Sequence, residues 1–187
     1  MKKHLTILLI LFAFSINAQD FGKKGVIEAG GMVGFSSTTE VNDGESVGDA
    51  LTQFTFEPYF GYFVINSLEL GLIPSFTSLS QGDASITSFG IYFAPAWNFN
   101  LKSMAFPFLE GRIGYQSIDF GEGDNNTLSG LSWGLRGGLK YQIGNSALVN
   151  ASLGYTQNTL NPKDWSGGRN GTNVFDILFG FTVFFGK

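Results

Sequence analysis

From Asn173 to the C-terminus, every second residue is apolar: Phe175, Ile177, Phe179, Phe181, Val183 and Phe185, with Asp176, Gly180 and Thr182 on the opposite parity. A period of two places alternate side chains on opposite faces of a β-strand. One face is therefore uniformly greasy and the other mixed, as expected of a strand with hydrocarbon outside and an enclosed interior. The alternation recurs through the chain. Lys24 to Ser36 sets Ile27, Ala29, Val33 and Phe35 against Glu28 and Met32, and Leu51 to Tyr62 sets Phe54, Phe56 and Phe60 against Gln53, Thr55, Glu57 and Tyr59. Leu68 to Leu79, Thr87 to Phe99 and Ala105 to Ser117 repeat it, placing Glu69, Tyr92, Glu110 and Arg112 inward. Leu131 to Ile143 and Ala147 to Gln157 complete the series, the former with Arg136 and Lys140 inward. Eight strands, an even number, predict an all-β fold: an eight-stranded antiparallel up-and-down transmembrane β-barrel.

The connections alternate in length. Phe63 to Ser67, Asn100 to Met104 and Gly144-Asn145-Ser146 read as tight turns, whereas Ser37 to Ala50, Ser80 to Ile86, Ile118 to Gly130 and Asn158 to Thr172 are longer and polar. Short turns at one rim and long loops at the other fit a barrel with periplasmic turns and extracellular loops. Tyr62, Trp97, Tyr141 and Phe185 fall near the turn rim, and Phe35, Phe54, Phe89, Trp133 and Tyr155 near the loop rim, as two interfacial girdles. Pro58, Pro74, Pro95 and Pro107 lie inside the predicted strands on the outward parity. Each removes a ladder hydrogen bond, so bulges or strand starts are expected there.

The N-terminus has a different pattern. Lys2, Lys3 and His4 precede an apolar run from Leu5 to Phe14, then the small-residue stretch Ser15 to Ala18. This is the layout of a secretory signal peptide over residues 1–18 with cleavage after Ala18, leaving a barrel domain over 19–187. The eleven Lys and Arg residues fall to nine when Lys2 and Lys3 leave, against fifteen acids, a net charge of −6. No basic stripe remains for a nucleic acid. The chain has no cysteine, and its one histidine, His4, leaves with the leader. The remaining residues thus lack the commonest general base, the strongest nucleophile and the usual transition-metal ligands.

The segment Glu57-Pro58-Tyr59-Phe60-Gly61-Tyr62-Phe63 ahead of a tight turn, the Gly-rich alternating strands and the aromatic C-terminal strand together resemble the small eight-stranded outer-membrane barrels of the OmpA/OmpX type. The resemblance covers essentially all of residues 19–187. It implies residence in the outer membrane of a Gram-negative cell, insertion by the barrel-assembly machinery and contact with outer-membrane lipid and lipopolysaccharide. The chain departs from the pattern by ending Phe184-Phe185-Gly186-Lys187, where such barrels commonly end on an aromatic residue.

The chemistry on offer is concentrated inward. Glu28, Glu57, Glu69, Glu110 and Asp176, with Arg112, Arg136 and Lys140, all take the inward parity. An eight-stranded barrel is just wide enough for side chains to fill it, so these groups should meet across the lumen as a structural plug, or alternatively line a narrow pore or proton path. The missing base argues against an enzyme, and no cofactor or metal is expected. Two loops gather hard oxygens, Asp119, Glu122, Asp124, Asn125 and Asn126 in one and Glu40, Asp43, Glu45 and Asp49 in the other. Their spacing does not match an EF-hand, and solvated acidic loops are the simpler reading over Ca²⁺ or cation-bridged lipopolysaccharide. The last loop carries Lys163, Trp165 and Arg169, and Trp and Arg dominate recognition surfaces, although Trp165 could equally fold back onto the membrane interface. The expected function is non-enzymatic: a monomer acting in envelope integrity or in surface interaction with an extracellular protein or matrix. The alternative is a low-conductance channel for small solutes or ions.

Overall fold

A computed structural model describes residues 21–42, 45–82, 84–120, 127–162 and 170–186, with side chains except at 36–51, 84, 162 and 170–172. The strands are β1 (Ile27–Asn42), β2 (Glu45–Ile65), β3 (Leu68–Gln81), β4 (Ala84–Asn98), β5 (Ala105–Asp119), β6 (Thr127–Gln142), β7 (Ala147–Pro162) and β8 (Asn170–Phe185). Each pairs antiparallel with its sequence neighbours, and β8 returns to β1, closing the barrel.

The faces follow the alternation. Phe54, Phe60, Leu72, Phe93, Leu109, Leu135, Leu153 and Phe179 are exposed on the outer surface, while Glu57, Glu110, Arg112 and Arg136 are buried inside. A greasy exterior around a charged interior is the reverse of a soluble barrel. At the turn rim, Tyr62, Trp97, Tyr141 and Phe185 stand exposed, as do Phe35, Phe54, Phe89 and Trp133 towards the loop rim, whereas Tyr155 is half-buried.

The strands extend further at the loop end than the hydropathy pattern predicts. The stretch 37–50, read as a loop, consists largely of β1 and β2, which stay paired from Thr38↔Leu51 past a register shift to Asn42↔Glu45. Likewise β7 runs on to Pro162 and pairs as far as Leu160↔Asn170, so only 163–169 separate it from β8. The reason is physical. Beyond the apolar band both faces of a strand meet water and alternation disappears, but the backbone ladder continues.

The four prolines produce no bulge. Pairing of β2 with β3 lapses between Phe56↔Phe76 and Phe60↔Leu72, with Pro58 and Pro74 midway in the gap, and resumes in the same register. The β4–β5 ladder lapses similarly around Pro95, and Pro107 pairs with Leu139 without interruption. Loss of an N–H removes a rung here without adding a residue. The register shifts lie instead at Thr38/Glu40 and Phe63/Ile65.

The closing seam is the shortest. Strand β1 meets β8 only from Ile27↔Phe185 to Val33↔Phe179, at the turn end, whereas β6 and β7 stay paired from Gln142↔Leu148 to Leu128↔Pro162.

Candidate functional site in the barrel lumen

The lumen is built in layers from the turn end upward. At the bottom, residues 21–26 fold back under the barrel instead of extending β1. Gly22 and Gly25, at φ +83° and +89°, make the turn that an L side chain resists. Gly25 N–H donates to the Phe63 carbonyl at 2.8 Å, and Ser67 N–H to that of Gly22 at 2.7 Å. This seats Phe21 edge-on against Phe63, Phe106 and Phe184, at centroid distances of 5.2, 4.9 and 5.3 Å. With Val26 and Leu148 they form a buried apolar floor.

Above the floor sits the first group of charges. Lys140 Nζ donates to Glu28 Oε2 at 2.6 Å and Glu69 Oε2 at 3.0 Å. Thr182 Oγ1 donates to Glu28 Oε1 at 2.6 Å, and Asn98 Nδ2 to Glu69 Oε2 at 3.1 Å. The ammonium also lies 5.2 Å from the ring centroids of Phe21 and Tyr59 and 5.4 Å from that of Phe108. A cation held by two carboxylates and three aromatic faces is well compensated for leaving water. Gly61 makes room for this arrangement: a Cβ there would lie 1.9 Å from Glu69 Oε1.

One further turn of the alternation up, Arg112 forks onto Glu57 through Nη1 and Nη2, each at 3.1 Å. Arg136 Nη1 reaches Glu57 Oε2 at 2.6 Å, and its Nη2 reaches Asp176 Oδ1 at 3.2 Å. Glu110 Oε1 stands 3.4 Å from Arg112 Nη2. Bidentate pairing satisfies a planar carboxylate on two oxygens at once, which favours arginine here over lysine. Tyr92 lies under the Arg112 guanidinium at 4.9 Å. Hydroxyls and amides take over towards the loop end: Ser132 Oγ donates to Asn158 Oδ1 at 2.5 Å and lies 3.2 Å from the Tyr92 hydroxyl, and Gln116 Nε2 donates to Ser88 Oγ at 2.7 Å. A polar vestibule of about 50 Å³, with Gln53, Thr77, Gln116 and Thr156 in its wall, opens there above Arg112.

All eight inward ionisable residues expected from the sequence therefore meet in the lumen. Seven are buried, and Asp176, nearest the vestibule, is partly exposed. They form two groups, Lys140 with Glu28 and Glu69, and Arg112 and Arg136 with Glu57, Glu110 and Asp176, that share no ion pair among the described residues. Lys163, Trp165 and Arg169 lie outside the described residues, as do residues 1–18, Asp43, Glu122, Asp124, Asn125 and Asn126. Asp119 is exposed at the end of β5. The sequence pattern gave no sign of Phe21 as part of the lumen. The only hint was one apolar residue among polar neighbours just after the expected cleavage point.

A closed ring of eight strands with apolar outside and ion pairs inside decides the architecture. The fold is that of a small outer-membrane β-barrel. Solved structures bear this out: Neisserial surface protein A matches with a TM-score of 0.54 at 17% identity, over 88% of this chain and 98% of that one. The outer membrane protein OprG from Pseudomonas aeruginosa matches at 0.50 and 20%, over 88% and 98%. The N-terminal β-barrel domain of Pseudomonas aeruginosa OprF matches at 0.54 and 16%, over 87% and 98%. No protein-family model matches the chain, and no curated protein sequence does.

Proposed function

We propose that the protein is a non-enzymatic outer-membrane barrel whose lumen is closed, and that it serves envelope integrity or surface interaction through its loop end. The observation that carries this reading is the filled interior: an apolar floor around Phe21 and two ion-paired layers above it. A side-chain plug of this kind stiffens a barrel but leaves no water column for solutes. The outward apolar face supports placement in lipid, and the fold neighbours, one named a surface protein and another an outer membrane protein, support the outer membrane as the location. Residues 1–18 act in this reading as a cleaved export signal, and the barrel-assembly machinery inserts the remainder as a monomer among outer-membrane lipid and lipopolysaccharide. The segment bearing Lys163, Trp165 and Arg169 is the part of the loop end best suited to an extracellular protein or matrix.

The channel reading requires Phe21 and both charged layers to move aside. Planar-bilayer recording of the purified protein tests the proposal. A silent bilayer, together with a detergent-resistant, heat-modifiable band in outer-membrane fractions, is the expected result. Steady unit openings that change when Arg136 or Glu110 is neutralised would replace the plug by a pore.

A further inference from the structure

Seven of the eight strand pairings reach the loop end, and the eighth stops halfway. Pairing of β1 with β8 ends at Val33↔Phe179, yet both strands go on: β1 stays on β2 from Gly34↔Thr55 to Thr38↔Leu51, and β8 stays on β7 from Ser152↔Leu178 to Gln157↔Asn173. Gly34 to Thr38 and Asn173 to Leu178 are thus paired on one side only, as two edges that face each other across a slot.

The side chains register the gap. Phe35 and Phe175, which flank it, are 72% and 80% exposed, whereas Phe54, Phe89 and Trp133 at the same rim are 49%, 45% and 43% exposed. A ring without a neighbouring strand on one side accounts for the difference. At its lower end the slot is shut off from the lumen, because buried Leu178 occupies the space that a Cβ on Gly34 would need. The slot therefore opens outward and towards the loops, and gives no way into the barrel.

What the edges lack identifies what fills them. Backbone N–H and C=O groups along a bare edge need partners in a row at strand spacing. An acyl chain would cover Phe35 and Phe175 but satisfy none of these groups, and open edges are not tolerated against hydrocarbon. An extended polypeptide supplies both, rungs for the edge and side chains for the rings.

We propose that this slot is a docking site for an extended segment of an extracellular protein, which enters from the loop end and pairs antiparallel with β1 where the upper half of β8 leaves it bare. Alternate side chains of the segment then fall beside Phe35 on the outer face. The inference rests on the surface-interaction reading above and gives it a partner, one recognised through its backbone and therefore selected by alternation and strand propensity more than by a fixed sequence.

A synthetic peptide with the sequence Asn170 to Phe179, the complement of the β1 edge, is the probe, added to the refolded full barrel. In the free protein the amides of Gly34 to Thr38 that are not bonded to β2 should exchange fast, and the peptide should slow them. The same peptide N-methylated where its N–H groups face β1 should bind at least about tenfold more weakly, since two or more hydrogen bonds are lost. Continuing the register places Phe35 opposite Ile177, and the chain has no cysteine, so Phe35→Cys with Ile177→Cys offers a clean disulfide across the slot. The oxidised form should lose the peptide and the reduced form keep it; should the disulfide not close, the exchange and N-methylation results decide alone. No binding of the peptide, slow exchange at Gly34 to Thr38 without it, or binding indifferent to N-methylation would overturn the proposal. So would a dimer of the free barrel that the disulfide dissolves, which would give the slot to a second copy. Planar-bilayer recording reports on the closed lumen alone, so failure of that reading and failure of this one are told apart.

Discussion

Arg112 and Glu57, fifty-five residues apart, face each other across the lumen with both terminal guanidinium nitrogens on both carboxylate oxygens, each at 3.1 Å. Glu57 also holds Arg136, so its carboxylate anchors two buried cations. Glu57→Ala should therefore cost about 3–5 kcal/mol, the usual penalty for stranding a buried charge. Glu57→Gln, which keeps the side chain's shape and one acceptor oxygen for the guanidinium groups, should cost less than Glu57→Ala. Urea titration of the folded band in lipid measures both. A Glu57→Ala loss below about 1 kcal/mol would mean that water reaches the pair freely.

Phe21 contributes through packing, and its removal empties a space walled by three other rings. Phe21→Ala should cost about 3–5 kcal/mol, and Phe21→Leu, which keeps most of the volume, under about 1.5 kcal/mol. The order of the two variants in a thermal heat-modifiability series checks this. Equal behaviour of both with the parent would place Phe21 outside the floor in solution.

At the seam the spacing of backbones leaves no room for a methyl group. A Cβ on Gly30 would lie 2.3 Å from the Phe181 carbonyl oxygen of β8, whereas one on Gly111 meets nothing nearer than Leu135 Cδ2 at 4.0 Å. Gly30→Ala should destabilise by about 1–3 kcal/mol through forced separation of β1 and β8. Gly111→Ala should stay within about 0.5 kcal/mol of the parent. Equilibrium unfolding of the pair in parallel reads the difference.

The outer face offers a test of lipid depth. Phe179 lies midway along the apolar parity of β8, between Phe175 near the loop rim and Phe185 near the turn rim. Phe179→Arg should cost about 2–4 kcal/mol and Phe175→Arg about 0–1 kcal/mol, the dependence expected across a bilayer. Unfolding from liposomes gives both values. Equal costs would show that the two positions share one environment.

What could be read from the sequence, and what could not, has a common physical origin. Parity was legible wherever one face meets lipid, because hydrocarbon enforces the contrast: Leu135 beside Arg136, or Phe56 beside Glu57, settles which way a strand faces. The strand ends at the loop rim were not legible, since Asn42 and Glu45 pair through backbone atoms that are the same in every residue. The partners of each charge were hidden too. That Lys140 meets Glu28 and Glu69 depends on the stagger of the barrel, which brings residues 112 and 71 positions apart to one level. Phe21 and Val26 escaped notice because a turn made by two glycines has no period.

The brevity of the contact between first and last strands has a consequence for how the molecule is made and lost. No ring exists until Phe179 to Phe185 have been synthesised and have found Ile27 to Val33, so closure is necessarily a late event whatever order the hairpins form in. The same few rungs are the cheapest line along which to reopen it. Hydrogen exchange should find the amides of this join less protected than those between β6 and β7, making it the place where the cylinder first becomes a sheet again.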